Sequence, residues 1–112
     1  MTDDPDAISQ IMNLVGDKWT LLVLDSLRAG SLRFSQLRRR AAPISQTMLT
    51  RTLRTLEHHA LIERTVLPAT PPHVQYAMTA LGESFLAAAG TLCTWAHENN
   101  LKPHPQNENF TT

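Results

Sequence analysis

Residues 45–60, SQTMLTRTLRTLEHHA, decide the fold predicted for this chain. At a helical step of about 100° per residue, one side of this stretch is an apolar stripe, formed by Leu49, Leu53, Leu56 and Ala60. The opposite side carries amides, hydroxyls and guanidinium groups, from Gln46, Thr47, Thr50, Arg51 and Arg54, and the one acid, Glu57, comes in the final turns. A solvated helix usually mixes acids with bases for i,i+4 pairing. This face suits phosphates and base edges instead, so the stretch predicts an amphipathic helix that contacts nucleic acid.

The charges of the chain are segregated. The 112 residues have no net charge, which fails the simple expectation that a nucleic-acid-binding domain is strongly basic. However, residues 1–27 sum to −4, residues 28–64 carry eight arginines and sum to +6, and residues 65–112 sum to −2. A local positive field can attract a polyanion although the average is zero. Arginines that are merely solvated are the alternative.

Cap and breaker residues predict two helices at the start of the chain. Asp4, before a proline, is a plausible N-cap for the first helix, which Gly16 ends. Asp17 is the expected cap of a second helix over residues 18–29, and Gly30 marks its end. The second helix is expected to be the buried centre of the domain, because it is nearly apolar around Trp19, Leu21, Leu22, Val23, Leu24 and Leu27.

The remaining elements follow from changes of period. Phe34 and Leu37 anchor a short third helix that Pro43 stops, and Ser45 is expected to cap the helix at 45–59. Alternation then predicts strands over residues 61–66 and 73–78, joined by a proline-rich tip that would form a projecting wing. Thr79 is the expected cap of a long final helix. Its apolar residues recur every three or four positions and need a partner, at Leu81, Phe85, Ala88, Leu92 and Trp95.

These elements predict a mostly α fold with a small β-hairpin wing, a winged helix-turn-helix with N- and C-terminal dimerisation helices. Residues 1–102 are expected to form a single domain, and the polar tail 103–112 to be disordered unless a neighbouring subunit holds Phe110.

The order and spacing of five segments resemble the HxlR-type transcriptional regulators, winged-helix proteins related to the MarR group. The segments are GDKWTLLVLDSL at 16–27, RFSQLRR at 33–39, ISQTMLTRTLRTLE at 44–57, LIERTV at 61–66 and PPHVQYAMTALG at 71–82. The resemblance implies a dimeric DNA-binding regulator with the helix at 45–59 in the major groove. It also implies that the terminal helices pair two subunits, the first through Ile8, Ile11 and Met12.

The chain departs from the family pattern at four positions. Many relatives carry a sensing cysteine where this chain has Asp6, so sensing through that thiol is not expected here. Thr47 stands where relatives often have lysine, and His73 where they often have arginine. Both changes remove a positive charge that would contact phosphate. Ala60 replaces a usual glycine, so the turn after the helix is expected to differ in geometry.

Individual roles can be assigned to the polar residues as hypotheses. Gln46 suits adenine and Arg51 suits guanine, while Thr50 and the capped helix N-terminus suit phosphate oxygens. Arg64 is expected to face away from the core toward a phosphate, with a salt bridge to Glu63 or Glu57 as the alternative. The full set of expected DNA contacts is Arg33, Arg38, Arg39, Ser45, Gln46, Thr47, Thr50, Arg51, Arg54, Arg64 and His73.

Other functional classes receive little support from the sequence. No glycine-rich phosphate loop, nucleophile elbow or carboxylate pair is present, so neither an enzyme nor a cofactor is expected. His58 and His59 are adjacent on a helix and point about 100° apart, which disfavours a metal site. Cys93 is expected to act as a small packing group, with sensing as the alternative. Trp19, Phe85 and Trp95 are expected to be core residues, with a ligand pocket between subunits as the alternative.

Expected location and partners follow from the same observations. The acidic start and the lack of an apolar run of about 20 residues favour a cytoplasmic protein that does not enter membranes. Expected partners are double-stranded DNA and a second copy of the chain, with an unidentified small-molecule effector as a further candidate. The alternatives are a winged-helix module that binds an acidic protein, and a dimer whose main role is to bind a small molecule.

Overall fold

The computed structural model describes residues 5–100 of the chain. In chain order its elements are α1 (Pro5–Gly16), α2 (Lys18–Ser26), β1 (Leu32–Arg33), α3 (Phe34–Arg40), α4 (Gln46–His58), β2 (Ile62–Leu67), β3 (His73–Met78) and α5 (Ala80–Glu98). This arrangement confirms the mostly α, winged helix-turn-helix fold. The expected cap at Asp4 and the expected tail with Phe110 lie outside the described residues.

The core lies where α2 crosses α4 and both meet the sheet. Val23 and Leu24 of α2 and Leu49 and Leu56 of α4 are completely inaccessible to solvent. Each such side chain contributes about 1.5–3 kcal/mol of burial free energy, so the leucine stripe of α4 fixes that helix to its own subunit. The stripe also includes Thr52, which is buried, whereas Ala60 is exposed beyond the end of the helix. The prediction that Ala60 joins the stripe was therefore wrong.

Three predicted helix caps are confirmed. The side chains of Asp17, Ser45 and Thr79 accept hydrogen bonds from backbone N–H groups in the first turns of α2, α4 and α5. Each bond satisfies an N–H group that the helix itself leaves unpaired. The Thr79 hydroxyl also donates to the Ala60 carbonyl oxygen at 2.7 Å, which ties the start of α5 to the end of α4.

The sheet has three antiparallel strands in the order β1-β3-β2, one strand more than the predicted hairpin. In β1, Leu32 pairs with Tyr76 and Arg33 with Gln75. Two residues are too few to show a period of two, so the sequence alone gave no signal for this strand. The strand matters for function because it fixes the start of α3 against the wing.

The second helix differs from its prediction in length and in burial. It ends at Ser26, and the residues that follow form a turn up to Gly30, whose φ is 147°. Leu22 is 48% exposed, although it was predicted to be buried with its neighbours. Although α2 packs against α1, α3, α4 and α5, one side of it stays open to solvent, and Leu22 is on that side.

The turn after α4 keeps the backbone shape that a glycine would favour. Ala60 has a φ of 60°, in the left-handed region. The expectation that alanine changes the geometry of this turn was wrong, because the Thr79 and Leu61 hydrogen bonds around it hold the conformation.

Candidate nucleic-acid interface

The polar face of α4 is open to solvent along its first turns. Gln46, Thr47, Arg51 and Arg54 are exposed and Thr50 is half-buried. With Thr55, these residues line a shallow groove of about 520 Å³. The buried leucines hold the opposite side of the helix, so its outward direction is fixed and the five polar side chains share one surface.

Hydrogen bonds limit what the hydroxyl groups of α4 can offer a ligand. The Ser45 oxygen accepts from the Met48 N–H at 3.0 Å, which leaves its own proton free to be donated. The Thr50 hydroxyl donates to the Gln46 carbonyl oxygen at 2.9 Å, so in this conformation it presents an acceptor. Thr50 therefore fits a base amino group better than the phosphate oxygen that the sequence suggested.

Two of the three consecutive arginines of α3 lie beside the start of α4. Arg38 and Arg39 line a groove of about 570 Å³ together with Ser35, Pro43 and Gln46. Arg40 is also exposed but does not line this groove. Arg38 and Arg39 therefore adjoin the polar face of α4, whereas Arg40 does not. The sequence alone could not distinguish these three consecutive arginines.

The cations of this surface form no ion pair with the acids of the part of the chain that the structure describes. Within residues 5–100, Arg28 forms an ion pair with Asp25 on the surface near the end of α2. The guanidinium nitrogen lies 2.9 Å from the carboxylate oxygen. Neither Glu57 nor Glu63 lies within ion-pair distance of Arg64. The guanidinium groups of α3, α4 and β2 are therefore available to an anionic partner.

Arg64 points in a different direction from the one expected. It shares a face of the sheet with Ile62, because both are at even positions of β2, and it pairs in register with Tyr76 of β3. Ile62 is buried, so this is the face that packs on the domain. The prediction that Arg64 faces away from the core was wrong: it lines a cleft beside α4 and is exposed at the edge of that cleft.

The other two expected contacts lie at the ends of the sheet. Arg33 is exposed immediately before α3, and its backbone N–H donates to the Gln36 side-chain oxygen at 2.9 Å. His73 is half-buried at the start of β3, opposite Leu67. Neither residue lines the grooves beside α4.

The residues predicted for the dimer interface form exposed apolar faces on α1 and α5. Ile8, Ile11 and Met12 are 49%, 50% and 60% exposed. On α5, Leu81, Leu92 and Trp95 are 53–55% exposed and Ala88 is exposed, while Phe85 packs partly against the core. Besides Phe85, the residues of α5 that face the core are Gly82, Leu86 and Ala89, none of which was predicted for the interface.

The cysteine, tryptophan and histidine side chains can now be compared with their predicted positions. Cys93 is exposed, so its expected role as a small packing group in the subunit was wrong. Trp19 packs against the core as expected, but Trp95 does not belong to it. His58 and His59 stack edge to face with their ring centres 5.1 Å apart. Among residues 5–100, no helix has the length and hydropathy required to cross a membrane.

Comparison with known proteins identifies this arrangement. The HxlR-like helix-turn-helix family matches residues 14–104. An HTH-type transcriptional regulator of Methanothermobacter thermautotrophicus is 43% identical over 99 residues, which cover 84% of this chain and 76% of that protein.

Two solved structures are similar over most of their length. A MarR-family transcriptional regulator from Enterococcus faecalis V583 has a TM-score of 0.78 and 31% identity, covering 89% of this chain and 91% of the other. Diamide-treated YodB from Bacillus subtilis has a TM-score of 0.77 and 33% identity, covering 88% and 96%. The chain belongs to the HxlR-like helix-turn-helix family and is a transcriptional regulator with the DNA-binding fold of that family.

Proposed function

We propose that the chain acts as a homodimer that binds a near-palindromic operator in a sequence-specific manner, with α4 in the major groove. The observation that carries this proposal is the exposed face of α4, whose guanidinium groups form no ion pair with an acid of residues 5–100 and which adjoins two arginines of α3. An operator on chromosomal DNA would place this activity in the cytoplasm.

Base recognition is assigned to the first half of the α4 face. Gln46 and Arg51 are both exposed and offer bidentate geometry, the amide to adenine and the guanidinium to guanine. Thr47 and Thr50 lie between them on the same groove and can contact base edges or thymine methyl groups. Arg54, one turn further along, extends this surface toward the wing.

Backbone contacts are assigned to the residues around that face. Arg38 and Arg39 lie across a groove from Gln46, and the Ser45 hydroxyl has a free proton at the N-terminus of α4. These groups suit phosphates, which position the protein without reading sequence. The peripheral contacts would come from the sheet and the start of α3, through Arg33, Arg64 and His73.

The second subunit is assigned to the exposed apolar faces of α1 and α5. Six large apolar side chains on these two helices are about half exposed, at Ile8, Ile11, Met12, Leu81, Leu92 and Trp95. A two-fold axis through such an interface would present two copies of α4 to the same side of a duplex, about 34–36 Å apart.

Selection of bound duplexes from a random pool, followed by fluorescence anisotropy titrations, tests the DNA proposal. Contact with six to ten phosphates predicts that affinity falls by about three to five decades between 50 and 200 mM salt. Arg51→Ala should cost about 1–3 kcal/mol and relax specificity, whereas Arg39→Ala should weaken operator and random duplex alike. Arg40→Ala removes the same charge outside the groove and is the control. A flat salt response, or equal losses from all three variants on both duplexes, would contradict the proposal.

Sedimentation equilibrium tests the dimer separately. Leu92→Asp places a charge on the exposed stripe of α5 and should convert a dimer to monomers at micromolar concentration. Thr94→Asp introduces the same charge on the same helix, about 140° away from the stripe by helical geometry, and should leave the dimer intact. Dimers that survive Leu92→Asp would show that this face does not join the subunits.

A further inference from the structure

A polar pocket lies between α1, α2 and α4, and no role assigned so far uses it. Its volume is about 250 Å³, just below the range for drug-sized ligands, so its occupant must be small. Gln10 and Asn13 line it from α1, Thr20 from α2, and Thr55 and His59 from the last turn and the C-cap of α4. By helical geometry the two α1 amides lie about 150° from the exposed apolar face of that helix. A dimer interface formed by that face would therefore leave the pocket open.

A buried hydroxyl group in this pocket has no partner within the described part of the chain. Thr20 is 2% exposed, and within residues 5–100 its side chain takes part in no hydrogen bond. Among the same residues no side-chain polar atom is both sealed off from solvent and unpaired, so the Thr20 oxygen reaches the pocket that it lines. A buried hydroxyl that nothing satisfies destabilises a protein. The partner of Thr20 must therefore be a group that enters the pocket.

The other polar groups of the pocket are mostly acceptors, and they include one carboxylate. Asp17 caps α2 through Oδ1, which accepts from the Trp19 N–H at 2.9 Å, and its second oxygen makes no bond within residues 5–100. The Thr55 hydroxyl donates to the Arg51 carbonyl oxygen at 3.1 Å, so it can only accept from a ligand. Of the described residues, no lysine or arginine lines the pocket, and Leu14 supplies a buried apolar wall.

We propose that this pocket binds a short primary alkylammonium ion. The ammonium group has three N–H donors and a positive charge, and it would donate to the free oxygens of Asp17, Thr20 and Thr55. The alkyl chain would lie along Leu14. An anion would be repelled by the Asp17 carboxylate, and a neutral alcohol supplies one donor to the three acceptors. The acceptor-rich lining thus selects a cation with several donors.

Binding would favour DNA, and this consequence rests on the proposed function. Thr55 lines both the pocket and the α4 groove assigned to the operator, so the ammonium ion would lie beside that groove. Neutralising Asp17 removes a negative charge from the neighbourhood of the phosphates, and across solvent this should strengthen operator binding by about twofold. The site thus predicts a cation that stabilises the complex with the operator.

Proton NMR of the full-length protein can follow the pocket through a ring C–H resonance of His59, identified by its absence in His59→Gln. n-Butylammonium chloride is added without DNA, and potassium chloride keeps the ionic strength constant. A ligand with five heavy atoms predicts a dissociation constant on the order of 1 mM. 1-Butanol has the chain without the charge, and tetramethylammonium has the charge without a donor. Each should bind at least about tenfold more weakly than n-butylammonium.

Matched variants separate the charge of Asp17 from its role as a helix cap. Asp17→Asn keeps a good N-cap for α2 but removes the charge, and it should weaken n-butylammonium binding by about tenfold or more. Asp25→Asn removes the same charge from the same helix outside the pocket, and it should leave the titration unchanged. Thr20→Val keeps the shape of the side chain without the hydroxyl, and it should weaken binding by about three- to tenfold. The urea midpoint of Thr20→Val should not fall, because Thr20 loses no partner within the protein.

The outcomes separate this proposal from the function on which its consequence rests. Absence of a saturable His59 shift up to about ten times the expected dissociation constant would overturn the site, whatever the protein does with DNA. Binding of 1-butanol as tight as that of n-butylammonium, or equal losses from Asp17→Asn and Asp25→Asn, would overturn the ammonium assignment. A lower urea midpoint for Thr20→Val would show that its hydroxyl is already satisfied by the protein, which also contradicts the site.

Operator anisotropy in n-butylammonium and in tetramethylammonium chloride, at equal ionic strength, tests the coupling. A rise in affinity with n-butylammonium that disappears in Asp17→Asn is expected. An unchanged affinity, or an equal rise in Asp17→Asn, would remove the coupling while the site stands. If the chain binds the ion but no duplex, the site stands and the proposed function fails.

Discussion

Gly82 and Gly90 are two glycines of the same helix whose replacement by alanine should have opposite effects on stability. A Cβ at Gly82 would overlap the Leu61 carbonyl oxygen and lie 2.8 Å from the Met78 Cγ atom. The oxygen cannot easily move, because it accepts a hydrogen bond from the Thr79 N–H at 3.1 Å. A Cβ at Gly90 meets nothing within 4 Å, and by helical geometry Gly90 lies away from the exposed stripe of α5.

The expected magnitudes follow from these contacts. Replacing glycine by alanine inside a helix stabilises it by about 1 kcal/mol, so Gly90→Ala should raise the free energy of unfolding by up to that amount. At Gly82 the same gain is opposed by overpacking, which costs about 1–3 kcal/mol where side chains can adjust and more against a fixed backbone atom. We therefore expect Gly82→Ala to lower the free energy of unfolding by about 2 kcal/mol.

Urea unfolding followed by circular dichroism at one fixed protein concentration measures both changes. With a slope of about 1–3 kcal/mol/M, a loss of about 2 kcal/mol moves the midpoint down by roughly 1 M. The fixed concentration is needed because dimerisation contributes to the apparent stability. If the Gly82→Ala protein were as stable as the Gly90→Ala protein, the close packing of α5 on the Leu61 carbonyl group, just before β2, would be disproved.

Three further substitutions test how the helices begin and how they are joined. Ser45→Ala removes the acceptor of the Met48 N–H and should cost about 1 kcal/mol in the free energy of unfolding; an unchanged urea midpoint would refute the cap. Thr79→Ala should cost more, about 1–2 kcal/mol, because the hydroxyl also donates to the Ala60 carbonyl oxygen, and a loss no larger than that of Ser45→Ala would contradict this second role. Ala60→Gly should raise the melting temperature by relieving a φ of 60°, with a gain of about 0.5–1 kcal/mol, and a lower melting temperature would show that alanine is not strained there.

The helices and their caps could be predicted from the sequence because their signals are local. Ser45, Thr79 and Asp17 each cap the helix that follows, and the leucines of α4 recur at the spacing that turns them to one side. The polar face of α4 is the necessary complement of that stripe, so its composition and its exposure were both predictable. The exposed apolar stripe of α5 is a local pattern in the same sense.

Errors arose where burial or direction depends on a neighbour. Leu22 belongs to an apolar helix, and only the placement of α2 in the subunit decides that its side is exposed. The Arg64 prediction failed for a different, local reason: Arg64 and Ile62 are both at even positions of β2, so the alternation of the strand itself puts them on the same face, and the register only adds Tyr76 as the neighbour. The strand of Leu32 and Arg33 exists only because β3 supplies its hydrogen-bond partner.

The sequence by itself determined which residues form the α4 helix, which side of it is apolar, and that the positive charge collects around it, because these properties depend on residues within a few positions of one another. Only the tertiary structure decided which arginines share a surface. Arg38 and Arg39 meet the N-terminus of α4 while Arg40 does not, and Arg54 and Arg64 face each other across a cleft although they lie on a helix and a strand. Such relations come from the packing of separate elements. The period of a single segment cannot predict them, because it depends only on the residues of that segment.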